Sequence, residues 1–266
     1  MPTYTGIVDS NGDFTIPFSS KYNAGQKITV VAEKDGATKS IEIYAPSSAI
    51  GASIEVSGSM LNFPLNVGDV TINMAGRLQD YAFSCVNASA TYNNFLGRAA
   101  TSITLVGCTE LGVRCFEYSS VNINNILSTP TLIKIDNYAF AYVRRSQAVS
   151  IPPGKTWGIY VFDSSLITEA TFQSGVAIIP IGMFYQCAAL EKVSIPATVT
   201  EIQNLAFASC AKLSEITVLA TTPPIITSDL LRSSKSTGVI KVPSESLAAY
   251  KTAPNWSAFA SRIQAI

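Results

Sequence analysis

The sequence predicts a mostly β chain: a solenoid of short parallel strands with a small antiparallel β module in front. Three observations predict it. An apolar pattern recurs about every 23 residues in the second half of the chain. Apolar-polar-apolar triplets open each recurrence. The first 46 residues alternate apolar and polar positions around the turn dipeptides Asn11-Gly12 and Asp35-Gly36, which favour tight hairpins.

Residues 1–46 form the module. GIVDSNGDFTIPF and AGQKITVVAEKDGATKSIEIYAP read as alternating strands. They resemble the latter part of a bacterial immunoglobulin-like module, of the kind strung along adhesins and phage tail fibres. A complete module needs roughly 90–100 residues and seven strands, and only about four strands fit here. The segment is therefore either a piece of a longer fibre or a small β element docked on the solenoid. Ala45-Pro46-Ser47-Ser48 marks its boundary. Residues 47–66 read as a linker and N-terminal cap, in which Ile54-Glu55-Val56 and Leu61-Asn62-Phe63-Pro64 are candidate first strands.

Residues 67–238 hold the repeats. Stacking Leu190–Lys212 on Ile167–Ala189 without gaps aligns Leu190 with Ile167, Ile195 with Phe172, Val199 with Val176, Ile202 with Ile179, Phe207 with Phe184 and Cys210 with Cys187. Followed outward, one phenylalanine slot holds Phe83, Phe116, Phe140, Phe162, Phe184 and Phe207. Leu78, Leu111, Ile135, Ile179 and Ile202 stand five residues earlier. Ile159 stands three before Phe162, where the repeat reads as shortened. The triplets begin at Val70, Ile103, Val121, Val149, Ala170, Val193, Ile216 and Ile240, each with a polar middle residue. Such a triplet is a strand with one buried face. A proline directly after it has no N–H for the ladder, so the strand stops. The phenylalanine then turns inward from the returning segment. One unit cannot bury its apolar face alone, so neighbours must stack.

The pattern L-x-x-V-x-I-P-x-x-V-x-x-I-x-x-x-A-F-x-x-C resembles the BspA-like (Treponema-type) leucine-rich repeat. Leu190, Val193, Ile195, Pro196, Val199, Ile202, Ala206, Phe207 and Cys210 carry the likeness. Residues 239–266 resemble that family's terminal cap: Val242-Pro243, a short helix with Leu247 and Tyr250, then Trp256, Phe259 and Ile263. The likeness spans about residues 67–266 and is strongest from 167 onward. The 33 residues between Phe83 and Phe116 imply an irregular or inserted unit.

Composition excludes several functions. Apolar residues make up 47% of the chain, too many for disorder, and charged residues only 14%. Eighteen basic and eighteen acidic residues cancel, which leaves no electrostatic footprint for nucleic acid or anionic lipid. The absence of histidine removes Ser-His-Asp and Cys-His nucleophile systems and imidazole metal sites. No apolar run is long enough to cross a membrane. Met1-Pro2-Thr3-Tyr4 lacks the features of a secretory signal. No cofactor and no metal site is expected, and no pair of carboxylates stands out for catalysis. Asp9, Asp13 and Asp35 lie at turns; Glu110 and Glu201 share one repeat slot and read as a solvated edge.

Five cysteines, an odd number with no Cys-x-x-Cys, argue against a disulfide framework. Cys187 and Cys210 share one slot of successive repeats and read as a ladder of small buried side chains. A disulfide between adjacent rungs is the alternative, because rungs lie about 4.8 Å apart.

Candidate receptor-binding residues are the aromatics outside the phenylalanine slot, Tyr118, Tyr142, Trp157, Tyr160 and Tyr185, with the paired cations Arg144 and Arg145. Aromatic faces stack on sugars and anchor protein partners, and guanidinium groups grip anions bidentately. Packing between turns is the plain alternative. The polar row Thr71, Thr104, Asn122, Ser150, Thr171, Ser194 and Thr217 offers a flat face that binds a ligand, docks a second chain or faces water. The expected function is non-catalytic recognition. The first reading is a phage tail-fibre tip on a virion, binding a bacterial surface glycan or protein and partnered by other fibre chains, with a homotrimer among the assemblies. The second is a BspA-like adhesin on a bacterial surface. The third is a polysaccharide depolymerase.

Overall fold

Each repeat of the second half folds as a strand, a short return strand and then a turn that in most repeats carries the phenylalanine, and successive repeats stack in register. The computed structural model describes residues 14–15, 27–34, 37–44, 55–57, 60–62, 69–84, 102–235 and 237–266, with side chains over 76–84, 103–235 and 237–266. Packing divides the chain into two units, one up to Leu132 and one over Ile133–Ile266.

In the first unit, β1 (Phe14–Thr15) pairs antiparallel with β4 (Glu55–Ser57), which pairs with β5 (Met60–Asn62). β4 and β5 therefore lie with β1 in a small three-stranded sheet of their own. β2 (Lys27–Lys34) and β3 (Ala37–Tyr44) form a hairpin with Lys34 opposite Ala37, so only Asp35 and Gly36 link them, as that dipeptide favours. β3 runs antiparallel to β6 (Asp69–Leu78), with Ile41 opposite Ile72 and Ile43 opposite Val70. The hairpin thus extends the sheet of the first repeat. The Asn11-Gly12 turn, and the rest of an immunoglobulin-like arrangement, lie outside the described residues.

β6 is parallel to β7 (Ser102–Leu111), with Val70 beside Ile103 and Leu78 beside Leu111. One strand here carries both the triplet and the apolar residue expected on a separate return segment. Gly76 (φ 85°) and Gly107 (φ 78°) bend these strands through left-handed backbone, which only glycine enters without strain. The triplet at Val121-Asn122-Ile123 is not a strand. It starts helix α1 (Ile123–Leu127), where the Asn122 side-chain oxygen accepts from the N–H groups of Asn124 and Asn125 at 3.1 and 3.4 Å. Ile123, Ile126 and Leu127 are buried together on one helix face. A good N-cap and i,i+3 burial outweigh a three-residue β pattern, and Asn122 leaves the polar strand row.

The second unit's main sheet contains β9 (Gln147–Ile151), β11 (Ile167–Phe172), β13 (Lys192–Ile195), β15 (Glu215–Val218), β17 (Val239–Val242) and β18 (Ile263–Ala265), all parallel and in sequence order. Val149, Ala170, Val193, Ile216 and Ile240 line up and are buried; Ser150, Thr171, Ser194, Thr217 and Lys241 line up on the other face. β9, β13 and β17 end directly before Pro152, Pro196 and Pro243. The return strands β12 (Ile178–Ile179), β14 (Glu201–Ile202) and β16 (Ile225–Ile226) form a second sheet. β8 (Lys134–Ile135) pairs in the same way with β10 (Thr156–Trp157). That register sets Trp157 beside Ile135, so Trp157, five residues before Phe162, fills the slot assigned above to Ile159. The indole packs on Phe162 at 6.0 Å, and Ile159 is 37% exposed. Position along the rung, not aliphatic type, decides which side chain turns inward.

The phenylalanine slot is the core. Phe140–Phe162, Phe162–Phe184 and Phe184–Phe207 stack at 5.6, 5.1 and 5.8 Å, and Phe83 stacks on Phe116 at 5.2 Å in the first unit. The backbone that delivers these rings alternates in handedness. Residues two before and two after the phenylalanine have positive φ: Tyr138, Tyr142, Tyr160, Ser164, Gly182, Gln186, Leu205 and Ser209. Each such non-glycine residue costs on the order of 1 kcal/mol. In return, every second N–H points along the solenoid: Tyr160, Phe162 and Ser164 donate to the carbonyls of Ile181, Met183 and Tyr185 at 2.9, 3.0 and 2.8 Å. Net hydrogen bonds of about 1 kcal/mol offset the strain.

A third slot follows three residues after the phenylalanine, or after Leu231, which takes its place in the last repeat. Ser165 Oγ, Cys187 Sγ, Cys210 Sγ and Ser234 Oγ donate to the carbonyls of Phe140, Phe162, Phe184 and Phe207 at 2.6, 3.0, 3.2 and 2.6 Å. The expected ladder of small side chains is a ladder of donors. The far end is closed by α2 (Leu247–Thr252) and the 3-10 segment Trp256–Arg262. Tyr250 and Trp256 are buried edge to face at 5.1 Å; the phenol donates to the Ala220 carbonyl and the indole to that of Pro224, at 2.8 and 2.7 Å.

Phe207→Ala removes one ring from this stack and should destabilise the second unit by about 3–5 kcal/mol, read as a lowered urea midpoint. In the first unit, the Val113 N–H donates to Asp80 Oδ1 at 2.9 Å, and this bond, then Arg77, lowers the Asp80 pKa. The stabilisation is present above the unfolded-state carboxyl pKa and is lost as pH falls through the depressed folded value. Asp80→Asn should flatten that acid limb in a stability-against-pH profile.

Candidate recognition edge

The left-handed slot two residues before the phenylalanine turns its side chain outward, and in the second unit it builds an aromatic tier. Tyr138 and Tyr160 occupy it on adjacent rungs and stack at 5.3 Å with planes 6° apart. Tyr185 meets Tyr160 edge-on at 5.6 Å. The next residue in the slot is Gly182, where a Cβ would lie 2.3 Å from the Tyr160 ring. Glycine there serves two needs at once, the positive φ and the close approach of the ring. Ile159 and Ile181, partly exposed beside the tyrosines, extend the apolar surface.

A polar rim borders the tier. The Ser164 hydroxyl lies 2.9 Å from Asp163 Oδ1 and 3.1 Å from Gln186 Oε1. Burial raises the Tyr160 phenol pKa; Tyr138, Tyr185 and Asp163 add to the rise and Arg232 opposes it. The phenol is therefore a protonated donor at neutral pH.

The structure sorts the sequence-predicted residues. Tyr160 and Tyr185 come together in the tier. Tyr142 stands in the slot two after Phe140, where its N–H donates to the Asp163 carbonyl at 2.7 Å. Arg144 follows it exposed and Arg145 half-buried. Trp157 takes a core slot and keeps only part of its surface. Tyr118 occupies the slot two after Phe116 in the first unit. Sequence reasoning missed Tyr138, Ile159 and Ile181. Tyr138 was legible, since it precedes Phe140 by the two residues that separate Tyr160 from Phe162. The sheet face is laced by its own charges instead: Glu169 neighbours Lys192, Lys192 neighbours Glu215, and Lys241 Nζ binds Glu215 Oε2 at 2.7 Å. Among the described residues no cluster of three metal-ligating side chains occurs.

The thiols lie elsewhere. Cys108, Cys115, Cys187 and Cys210 are free and buried. Burial pushes Cys187 well above the ordinary thiol value and Cys210 up to about 12.

Residues 109–236 match the BspA type leucine rich repeat region, in six copies. No curated protein matches the sequence. Among solved structures, the chain is similar to a leucine-rich repeat protein from Eubacterium ventriosum, at 17% identity and a TM-score of 0.44, over 71% of this chain and 53% of that one. It is also similar to the pneumococcal vaccine antigen PcpA, at 12% identity and a TM-score of 0.27, over 92% of this chain and 98% of that one. The chain spans about half the length of the Eubacterium protein.

Thiols buried with raised pKa values react slowly, because the thiolate is the nucleophile. Iodoacetamide at pH 8 should leave Cys187 and Cys210 unmodified in the folded protein and modify both in denaturant, read by peptide mass mapping.

Proposed function

We propose that this chain is a non-catalytic recognition protein that binds a bacterial surface receptor, glycan or protein, as the tip of a phage tail fibre. One observation carries the recognition role: the outward tier of Tyr138, Tyr160 and Tyr185 with Ile159 and Ile181, an apolar surface bordered by polar groups on a sparingly charged molecule. Such patches mark interaction sites, and tyrosines join apolar area to a hydrogen-bonding tip. A stacked solenoid holds them rigidly, so little ordering entropy is lost on binding. The likeness of the N-terminal strands to fibre modules supports the tail-fibre placement. The BspA-type repeats over 109–236 support the second reading, a bacterial surface adhesin.

Labelled protein applied to a panel of whole bacteria, with and without stripping of surface polysaccharide, tests the proposal. Strain-restricted labelling is expected, and its loss on stripping would identify a glycan receptor. Tyr185→Ala with Ile181→Ser should weaken binding at least about tenfold, 1.4 kcal/mol. Thr171→Ala with Ser194→Ala on the sheet face should leave it unchanged. No labelling of any strain, or equal loss from both pairs, would overturn the assignment to the tier.

A further inference from the structure

We propose that Cys187 and Cys210 join in a disulfide between neighbouring rungs when the chain folds in the presence of a small oxidised disulfide such as oxidised glutathione. The two residues are register equivalents: Ile179 pairs with Ile202, and each cysteine stands eight residues further on. Between those points Phe184 stacks on Phe207, and the Gln186 N–H donates to the Ala208 carbonyl at 2.9 Å. Parallel rungs lie about 4.7–4.9 Å apart, inside the Cα separation of roughly 4.4–6.8 Å that a disulfide spans.

The two sulfurs point the same way along the stack, each one rung back. Cys210 Sγ reaches back to the rung of Cys187, donating at 3.2 Å to the Phe184 carbonyl that also receives the Cys187 N–H at 3.3 Å. Cys187 Sγ points one rung further, to the Phe162 carbonyl at 3.0 Å. Closing the disulfide removes both thiol hydrogens and with them both thiol–carbonyl bonds, but neither carbonyl is orphaned: that of Phe162 keeps the Ser165 N–H at 3.1 Å and that of Phe184 keeps the Cys187 N–H at 3.3 Å. No backbone hydrogen bond is lost.

The exchange balances. One cysteine thiolate attacks oxidised glutathione, forming a mixed disulfide and releasing one glutathione thiolate. The second cysteine thiolate attacks the protein sulfur of that mixed disulfide and releases the other. The two protons lost by the cysteines end on the two departing thiolates, and two electrons pass to the glutathione pair. Burial of both sulfurs confines the exchange to folding or local opening, so the closed reduced protein stays reduced. The bond then ties one whole repeat to the next and restricts the unfolded chain.

The test refolds the full chain from denaturant with reduced and oxidised glutathione, alkylates the remaining thiols and maps the peptides. The expected result is a linked pair containing Cys187 and Cys210, in a protein that melts several degrees above its reduced form. Cys210→Ser and Cys187→Ser should each fold, since Ser165 and Ser234 fill the same slot, and each should abolish the shift. Recovery of both cysteines alkylated, linkage of either to another cysteine, or a linked form that melts no higher would overturn the proposal.

Discussion

The repeats of the second unit depend on one constraint: the rings of Phe140, Phe162, Phe184 and Phe207 must lie one on the next. A unit of about 23 residues exposes too much apolar surface to be stable alone. A stack at 5.1–5.8 Å buries each ring between its neighbours. Because the rings set the rung spacing, the backbone on both sides must pair at the same interval. The two parallel sheets of the second unit and the inter-rung bonds of the turn all answer to that repeat distance. The left-handed residues flanking each phenylalanine follow from it too, since alternating handedness is what aims every second N–H at the neighbouring rung.

The same constraint decides where function can reside. Slots that face inward accept only close-packed or hydrogen-bonded groups. Trp157 illustrates this: an indole that looks like a recognition residue is drawn into the slot beside Ile135. The donor slot illustrates it again, because Ser165, Cys187, Cys210 and Ser234 each serve the preceding rung's phenylalanine carbonyl. Outward slots carry no such core demand, and there the chain places Tyr138 and Tyr160, with Gly182 making room for a ring. Strain in the turn and exposure of the tier therefore share a cause: a left-handed residue directs its side chain away from the core.

The first unit departs from the regular scheme. Its strands β6 and β7 run through positions that later repeats divide between two segments, bent at Gly76 and Gly107. The hairpin of β2 and β3 then adds to the edge of β6. A sheet edge with unpaired N–H and C=O groups invites such pairing. This edge is covered on one side by an antiparallel hairpin rather than by another repeat.

While the closing roles of Tyr250 and Trp256 came from the family resemblance, the amino-acid sequence by itself determined the solenoid, the phenylalanine slot, the strand ends at Pro152, Pro196 and Pro243 and the Asp35-Gly36 hairpin. Those features rest on local chemistry or on a strict period, and both are visible one residue at a time. Tertiary structure alone decided that Asn122 caps a helix, that Trp157 and not Ile159 turns inward, and that the small ladder is a row of donors to carbonyls one rung away. It also decided which aromatics meet: Tyr160 with Tyr138 and Tyr185, and Tyr142 in another slot. The reason is geometric. In the turns of the second unit, hydrogen bonds between rungs join residues 21 to 27 positions apart, and a shift of one or two residues along a rung moves a side chain from core to solvent. A repeat read along the chain fixes the period, but only stacked rungs set the phase of each side chain.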